Sequence, residues 1–321
     1  FQHRFPVGEW NNIIWGLGYR HIDDDVENSP GLAFLPARVS RDWFTGFVQD
    51  EIALVKERLY LTLGTKLEHN DYTGFEYQPS GRLLWKITER QSAWAAVSRA
   101  VRTPSRIDRE FYFPGTPPYF FAGGTNFNSE ELIAYELGYR IQPHQRVSLS
   151  VAAFYNDYEN VRSVEQVSPP APMPVMFGNG QEAESYGAEF VADYRPSDWW
   201  RLRAGYTELQ IQFRPRPGST DTTSGSTESS DPNRQFFLRS SLDLPGNVEF
   251  DLGFRYVAHI ANQRVPEYSE LDARLAWHPF SNLEVSVVGQ NLLHDHHPES
   301  GGPNGRREIE RGVYGKILCR F

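Results

Sequence analysis

The chain has 321 residues, a formal net charge of -9, 14% aromatic residues and one cysteine. The acidic balance argues against nucleic acid as a partner, since phosphate binding wants a basic field, and the lone Cys319 excludes an internal disulfide. No run approaches the ~18 consecutive apolar residues of a membrane helix, although a sheet with one wet face would hide its apolar residues from that scan.

Taken in order, the chain offers about fifteen segments with the two-residue period of strands. After a short run from Phe1 to Phe5 come Ile13, Trp15, Leu17 and Tyr19 on one face. The stretch from Trp43 to Val55 is ambiguous in phase. Leu59, Leu61, Leu63 and Leu67 against Tyr60, Thr62, Lys66 and Glu68 is the cleanest alternation. Leu83, Trp85 and Ile87, then Trp94, Ala96 and Ala100, suggest a hairpin. Ile133 to Tyr139, Val147 to Tyr155, Tyr186 to Tyr194 and Trp200 to Tyr206 follow, with a change of phase at Leu209, Ile211 and Phe213 that a bulge, or a strand leaving the bilayer, would explain. Phe236 to Leu244, Val248 to Tyr256, Leu271 to Trp277, Leu283 to Gly289 and Val313 to Phe321 complete the set.

The connections alternate in length. Short turns fall near Val7, Lys56, Gln91, His144, Ser197, Gly246 and Ser281, and longer segments at 24–40, 105–128, 163–181, 214–232 and 294–305. A bacterial outer-membrane barrel keeps short turns at one end and long loops at the other, whereas a sandwich or propeller has no reason to. With no linker between the strands, residues 1–321 read as one unit.

Enzyme signatures are absent: there is no G-x-S-x-G, H-E-x-x-H, Walker loop or paired Cys motif. The chain is therefore expected to be no enzyme and to carry no cofactor. His294, Asp295, His296, His297 and Glu299 are metal-ligand types, but neighbouring side chains on an extended segment point apart, so no metal site is expected. Phe111, Tyr112, Phe113, Tyr119, Phe120 and Phe121, interrupted by Pro and Gly, suit stacking against a planar ligand; they would serve equally to pack their own loop or form an outer girdle. Charges recur on the other strand face, among them Lys66, Arg82, Lys86, Arg99, Arg140, Arg203, Arg239, Glu136 and Glu189, too many for a buried interior and natural for a wet lumen. The polar segment 218–232 is expected to be mobile.

The phrases "LDARLAWHPFSNLEVSVVGQNLLHDHHPE", "RGVYGKILCRF", "FYNDYENVRS", "ELIAYELGYR", "SYGAEFVADYRPSDWWRLRAGYT" and "SRAVRTPSRID" together resemble the TonB-dependent outer-membrane receptors. The resemblance implies an all-β, antiparallel transmembrane β-barrel, about 15 strands of the ~22 in plugged transporters. Residues 1–321 would be the carboxyl-terminal portion of that barrel, with the signal peptide, plug and first strands absent. It implies a monomer in the Gram-negative outer membrane, in contact with its lipid. TonB would act through the plug to drive uptake of an iron-siderophore, cobalamin, another metal chelate or a carbohydrate. A passive porin or barrel adhesin, and a soluble carbohydrate-binding β protein, remain the competing readings. All turn on one expectation, that Leu61, Val151, Phe250 and Leu275 face lipid while Arg140 and Glu189 face the lumen.

Overall fold

The computed structural model describes residues 1–169, 171–223, 228 and 230–320. Its strands are β1 (Gln2–Val7), β2 (Asn11–Asp25), β3 (Ala33–Phe34), β4 (Arg38–Val55), β5 (Leu59–Asn70), β6 (Gly74–Thr88) and β7 (Gln91–Arg102). A short helix, α1 (Arg106–Glu110), separates these from β8 (Phe111–Tyr112), β9 (Glu130–His144), β10 (Val147–Gln166), β11 (Val175–Ser197) and β12 (Trp200–Pro215). Then come β13 (Arg234–Leu244), β14 (Val248–Val257), β15 (Tyr268–Phe280), β16 (Leu283–Gln290), β17 (His296–His297), β18 (Ile309–Glu310) and β19 (Gly312–Cys319). Fifteen of them form one sheet, each beside its neighbour in the chain, running from β1 at one edge to β19 at the other. The pairs β3–β8 and β17–β18 are separate and lie in the connections.

Register assigns the two faces. Ile141, Leu149, Ala192, Ala204, Leu238, Phe254 and Leu271 are successive cross-strand partners from β9 to β15, and every one is apolar. One residue along each strand, the row becomes Arg140, Ser150, Val191, Gly205, Phe237, Arg255 and Glu270. Because side chains alternate across a pleated strand, these rows line opposite faces. The second face bounds a concavity of about 1260 Å³, to which Lys86, Trp94, Arg140, Ser150 and Glu189 contribute.

No second layer of described residues covers the apolar face. Among the described residues the buried apolar side chains, two prolines (Pro104 and Pro298) aside, are only Ala33, Phe127, Ala183, Ala258, Ile260, Val265 and Ala276, while Leu137 is 63% exposed and Leu275 52%. Leu61, Val151 and Phe250 are half-buried by strand neighbours rather than gathered into an interior. So broad an apolar surface is stable against lipid and would be an aggregation liability in water. Aromatic rings border it on both sides. Tyr19, Phe44, Tyr77, Tyr135 and Tyr155 stand toward the long connections, and Trp10, Trp85, Trp199, Trp277 and Phe280 toward the short turns. Tyr77 and Trp85 lie on one strand, roughly 27 Å apart at ~3.4 Å per residue, close to the height of a lipid-facing band.

All seven short turns expected from the sequence lie at one end. At the other, β5 and β6 are joined by only Asp71 to Thr73, an exception to the long-loop rule. The segment expected as a loop at 163–181 is largely strand, because β10 and β11 continue to Gln166 and from Val175 as a projecting hairpin. At Leu209 there is no bulge: β11 and β12 stay in register from Gln181 opposite Pro215 to Tyr194 opposite Leu202. The phase changes because the strand leaves the apolar band above Tyr206, whose hydroxyl donates to Glu208 on the same face.

Strand β7 was legible but in the wrong phase. Leu83 and Trp85 pair with Ala95 and Ala93, so those alanines and Val97 are outward, while Trp94 and Ala96 face the lumen. Trp94 lies flat on its partner Gly138, where a Cβ would come within 2.1 Å of Trp94 Nε1. Phe237 covers Gly205 in the same way, at 2.2 Å. Glycine makes room for an inward ring that shields the sheet backbone. The same shift of phase puts Arg99 outward, over the Tyr77 ring at 4.4 Å and 2.7 Å from Glu131, not in the lumen. Phe321 lies outside the described residues.

Candidate ligand-binding mouth

The long connections meet above the sheet around α1. Ser105 caps the helix: its hydroxyl accepts from the Asp108 N–H, and the Asp108 carboxylate accepts from the Ser105 N–H at 2.8 Å. This reciprocal pair satisfies donors that a helix start leaves free. Asp108 is fully buried, and Arg102 at 3.0 Å and Arg162 at 3.5 Å complete its shell. Burial pushes this carboxyl up, but the hydrogen bonds from Arg102 and Ser105 outweigh burial and hold it below the usual carboxylate range.

Glu110, also buried, accepts from Arg41, from Arg106 Nε at 2.7 Å and from the Tyr72 hydroxyl at 3.2 Å. Burial and then the charge of Glu110 push the Tyr72 phenol well above its ordinary value. Arg106 also reaches Asp24 at 2.9 Å. These pairs tie the connections after β2, β5 and β7 into one cap, although the residues are as many as 82 positions apart in sequence.

The aromatic run forms the upper part of the cap. Phe113 and Phe121 exchange backbone hydrogen bonds at 2.9 Å, β8 pairs with β3, and Ala122 N–H donates to the Val175 carbonyl. Residues 111–122 are thus a small hairpin held between the β2–β4 connection and the β10–β11 projection. Its six rings divide by environment. Phe111 and Phe121 pack with Phe34 and Phe177, at centroid separations of 4.5–5.9 Å. Tyr112 and Tyr119 pair at 4.9 Å. Phe113 and Phe120, 6.3 Å apart, are displayed, at 46% and 55% exposure. The structure therefore brings all six predicted residues together, four as half-buried packing and two as open surface.

Sequence reasoning missed Arg41, Tyr72, Arg102, Arg106, Asp108, Glu110 and Arg162. The available signal was the S-x-x-D pattern at Ser105 and Asp108, a capping box ahead of the aromatic run.

The polar segment after β12 is docked rather than loose where it is described. Glu165 accepts from Ser163, Ser219 and Thr220 hydroxyls at 2.7 Å, and the Asp221 carboxylate accepts from Val164 N–H at 2.9 Å. These bonds cover the free edge of β10 where it projects past β9. The expectation of mobility also concerned 224–227 and 229, which lie outside the described residues.

In the last long connection, His294 and His297 both turn toward the buried Glu270, at 2.8 and 3.2 Å, whereas His296 turns to Glu308 and Asp295 to Arg311. Among the described residues no group of three His, Cys, Asp or Glu is arranged to hold a metal ion.

Comparison with known proteins places this geometry. The family described as TonB dependent receptor-like, beta-barrel, matches residues 1–292. The "Iron-regulated outer membrane virulence protein" of Vibrio cholerae is 26% identical over 222 residues, covering 63% of this chain and 32% of that protein. The "Ferric enterobactin receptor" of Pseudomonas aeruginosa is 28% identical over 127 residues, 36% of this chain and 17% of that one. Among solved structures, the FrpB iron transporter of Neisseria meningitidis superposes with a TM-score of 0.78 at 14% identity, covering 100% of this chain and 54% of that chain. The siderophore receptor PirA of Acinetobacter baumannii does so with a TM-score of 0.78 at 15% identity, covering 100% and 53%. The chain spans about a third of the length of the first curated relative and about half that of the solved structures.

Proposed function

The chain belongs to the TonB-dependent receptor-like β-barrel family, and from that premise we propose that it is the carboxyl-terminal arc of an outer-membrane receptor for a metal chelate, an iron-siderophore first among them. The observation that carries this reading is the one-layer sheet, apolar and uncovered on one face and charged on the other. Lipid is the natural contact of the first face and a water-filled or plugged lumen that of the second. The relatives' names, iron-regulated and ferric enterobactin receptor among them, favour iron over cobalamin or carbohydrate as cargo. Uptake would be driven through TonB and a plug, in a monomeric barrel, with binding and conformational work rather than bond-breaking chemistry.

In this reading Phe113 and Phe120 are the surface that meets the chelate, and Phe111, Tyr112, Tyr119 and Phe121 hold them there. A displayed ring gains about 0.5–1.5 kcal/mol from an aromatic partner. Replacing Phe113 and Phe120 together by alanine in the full-length protein is therefore expected to raise the Kd for ferric tris-catecholate roughly five- to 100-fold. Quenching of tryptophan fluorescence measures it. Unchanged affinity in a protein that binds the chelate would remove these rings from the site.

A further inference from the structure

Five arginines gather around α1, and their partners differ in one respect. Arg41 is paired with Glu110, Arg102 with Asp108 and Glu130, Arg106 with Asp24 and Glu110, and Arg162 with Asp108. Arg109 has no carboxylate within 4 Å among the described residues. Its Nε donates to the Phe127 carbonyl at 2.7 Å, and its guanidinium carbon lies 5.2 Å from the centre of the Tyr72 ring. The side of its fork beyond Nε carries no hydrogen bond to another described residue. The acids on either side of it in sequence are already occupied, Glu110 by Arg41, Arg106 and the Tyr72 hydroxyl and Asp108 by Arg102, Arg162 and Ser105.

A half-buried guanidinium with no described carboxylate in contact is costly, and its bidentate fork is shaped for an oxyanion. The carbonyl and the ring fix its direction, so little side-chain freedom remains to be lost on binding. Burial first, then the charge of Arg41, lowers its proton affinity against the opposing pull of Tyr72 and Glu110, and a guanidinium so placed is still a cation at physiological pH.

We propose that Arg109 is the anion-recognising residue of the mouth, selecting oxyanion-bearing chelates over neutral ones of the same size. The inference rests on the receptor reading and names which ligand charge that receptor prefers. Arg109 lies in the helix immediately before the aromatic hairpin, so the charge contact and the ring contacts would act on one ligand.

The test uses the full-length protein and two probes: ferric tris-catecholate, which carries three negative charges, and ferric tris-hydroxamate, which is neutral. Arg109→Gln is expected to weaken the anionic chelate about tenfold or more, as for loss of a charge-assisted hydrogen bond, and the neutral one by less than twofold. Arg109→Lys, which keeps the charge, is expected to recover most of the lost affinity, and the salt dependence of anionic binding should flatten only in the Gln variant. Equal weakening of both probes, with no recovery in Lys, would mean that Arg109 only props up Phe127 and Tyr72, and would overturn the proposal. So would unchanged anionic binding in Arg109→Gln. If the wild-type protein binds neither chelate, the receptor reading fails and this inference with it; if it binds and Arg109 is silent, the inference fails alone.

Discussion

Alanine at Asp108 is expected to release the cap from the barrel mouth. The carboxylate is fully buried and receives Arg102, Arg162 and both polar groups of Ser105, so its removal leaves Arg162 without its carboxylate, leaves Arg102 with Glu130 alone and takes away the side-chain half of the α1 capping box together. Removing one partner of a buried pair costs about 3–5 kcal/mol. Because Arg102 and Arg162 are 42% and 48% exposed and can turn to water, the lower end of that range applies. Hydrogen exchange across residues 103–129 should rise by two orders of magnitude while the strand amides stay protected. Asp108→Asn, which keeps the shape and one acceptor, should fall between. Full protection in the alanine variant would mean that the aromatic hairpin holds itself.

The same group gives the cap a pH dependence with a definite sign. The folded Asp108 pKa lies below its ordinary value. Its contribution is therefore complete above the unfolded carboxyl value, ~3.9, and is lost as pH falls through the lower folded value. The protection factors of the cap amides, exchange rates corrected for the intrinsic pH dependence of amide exchange, should be flat from neutral pH down to about 4 and fall only below it.

The second large effect lies on the opposite side of the sheet. Leu252 projects outward at mid-height on β14, between Tyr256 and the row of Val248 and Trp277. Arginine there must enter the bilayer and is expected to cost about 2–4 kcal/mol. Urea unfolding in lipid vesicles, followed by tryptophan fluorescence, measures it. Arginine at the inward Ser150, which opens into the concavity, should leave the midpoint near wild type. Equal penalties at the two positions would mean that the faces are not distinguished by lipid.

How much of this could be read from the sequence depends on which interaction set each residue. Leu59, Leu61, Leu63 and Leu67 announced their strand because lipid demands an apolar side chain at every outward position, a local rule with a period of two. Trp94 and Ala96 misled for the complementary reason: a lumen tolerates apolar residues as well as ions, and Trp94 faces it because Gly138, on a neighbouring strand, leaves a flat bed. Arg99 was misplaced with them. The length rule for connections failed at 163–181, where strand pairing simply continues past the membrane. The six aromatics of the mouth were found as a group, but their division into packed and displayed rings depends on Phe34 and Phe177, which no local pattern connects to them. Of the ion pairs around α1, Arg41–Glu110, Asp24–Arg106 and Asp108–Arg162 join residues 54 to 82 positions apart, so only the short-range part, the capping box with Arg106–Glu110 and Arg102–Asp108, lay within reach of a local pattern.

The most direct test of which face meets lipid is collision mapping of nitroxide labels in the full-length protein in bilayers, with Cys319→Ser as the background. Labels placed singly at positions 61, 151, 250 and 275 should collide mainly with oxygen, which concentrates in the bilayer, and labels at 140 and 189 should favour a water-soluble nickel chelate. Nickel-dominated collisions at Leu61, Val151, Phe250 and Leu275, with oxygen dominating at Arg140 and Glu189, would turn the sheet inside out and contradict the account.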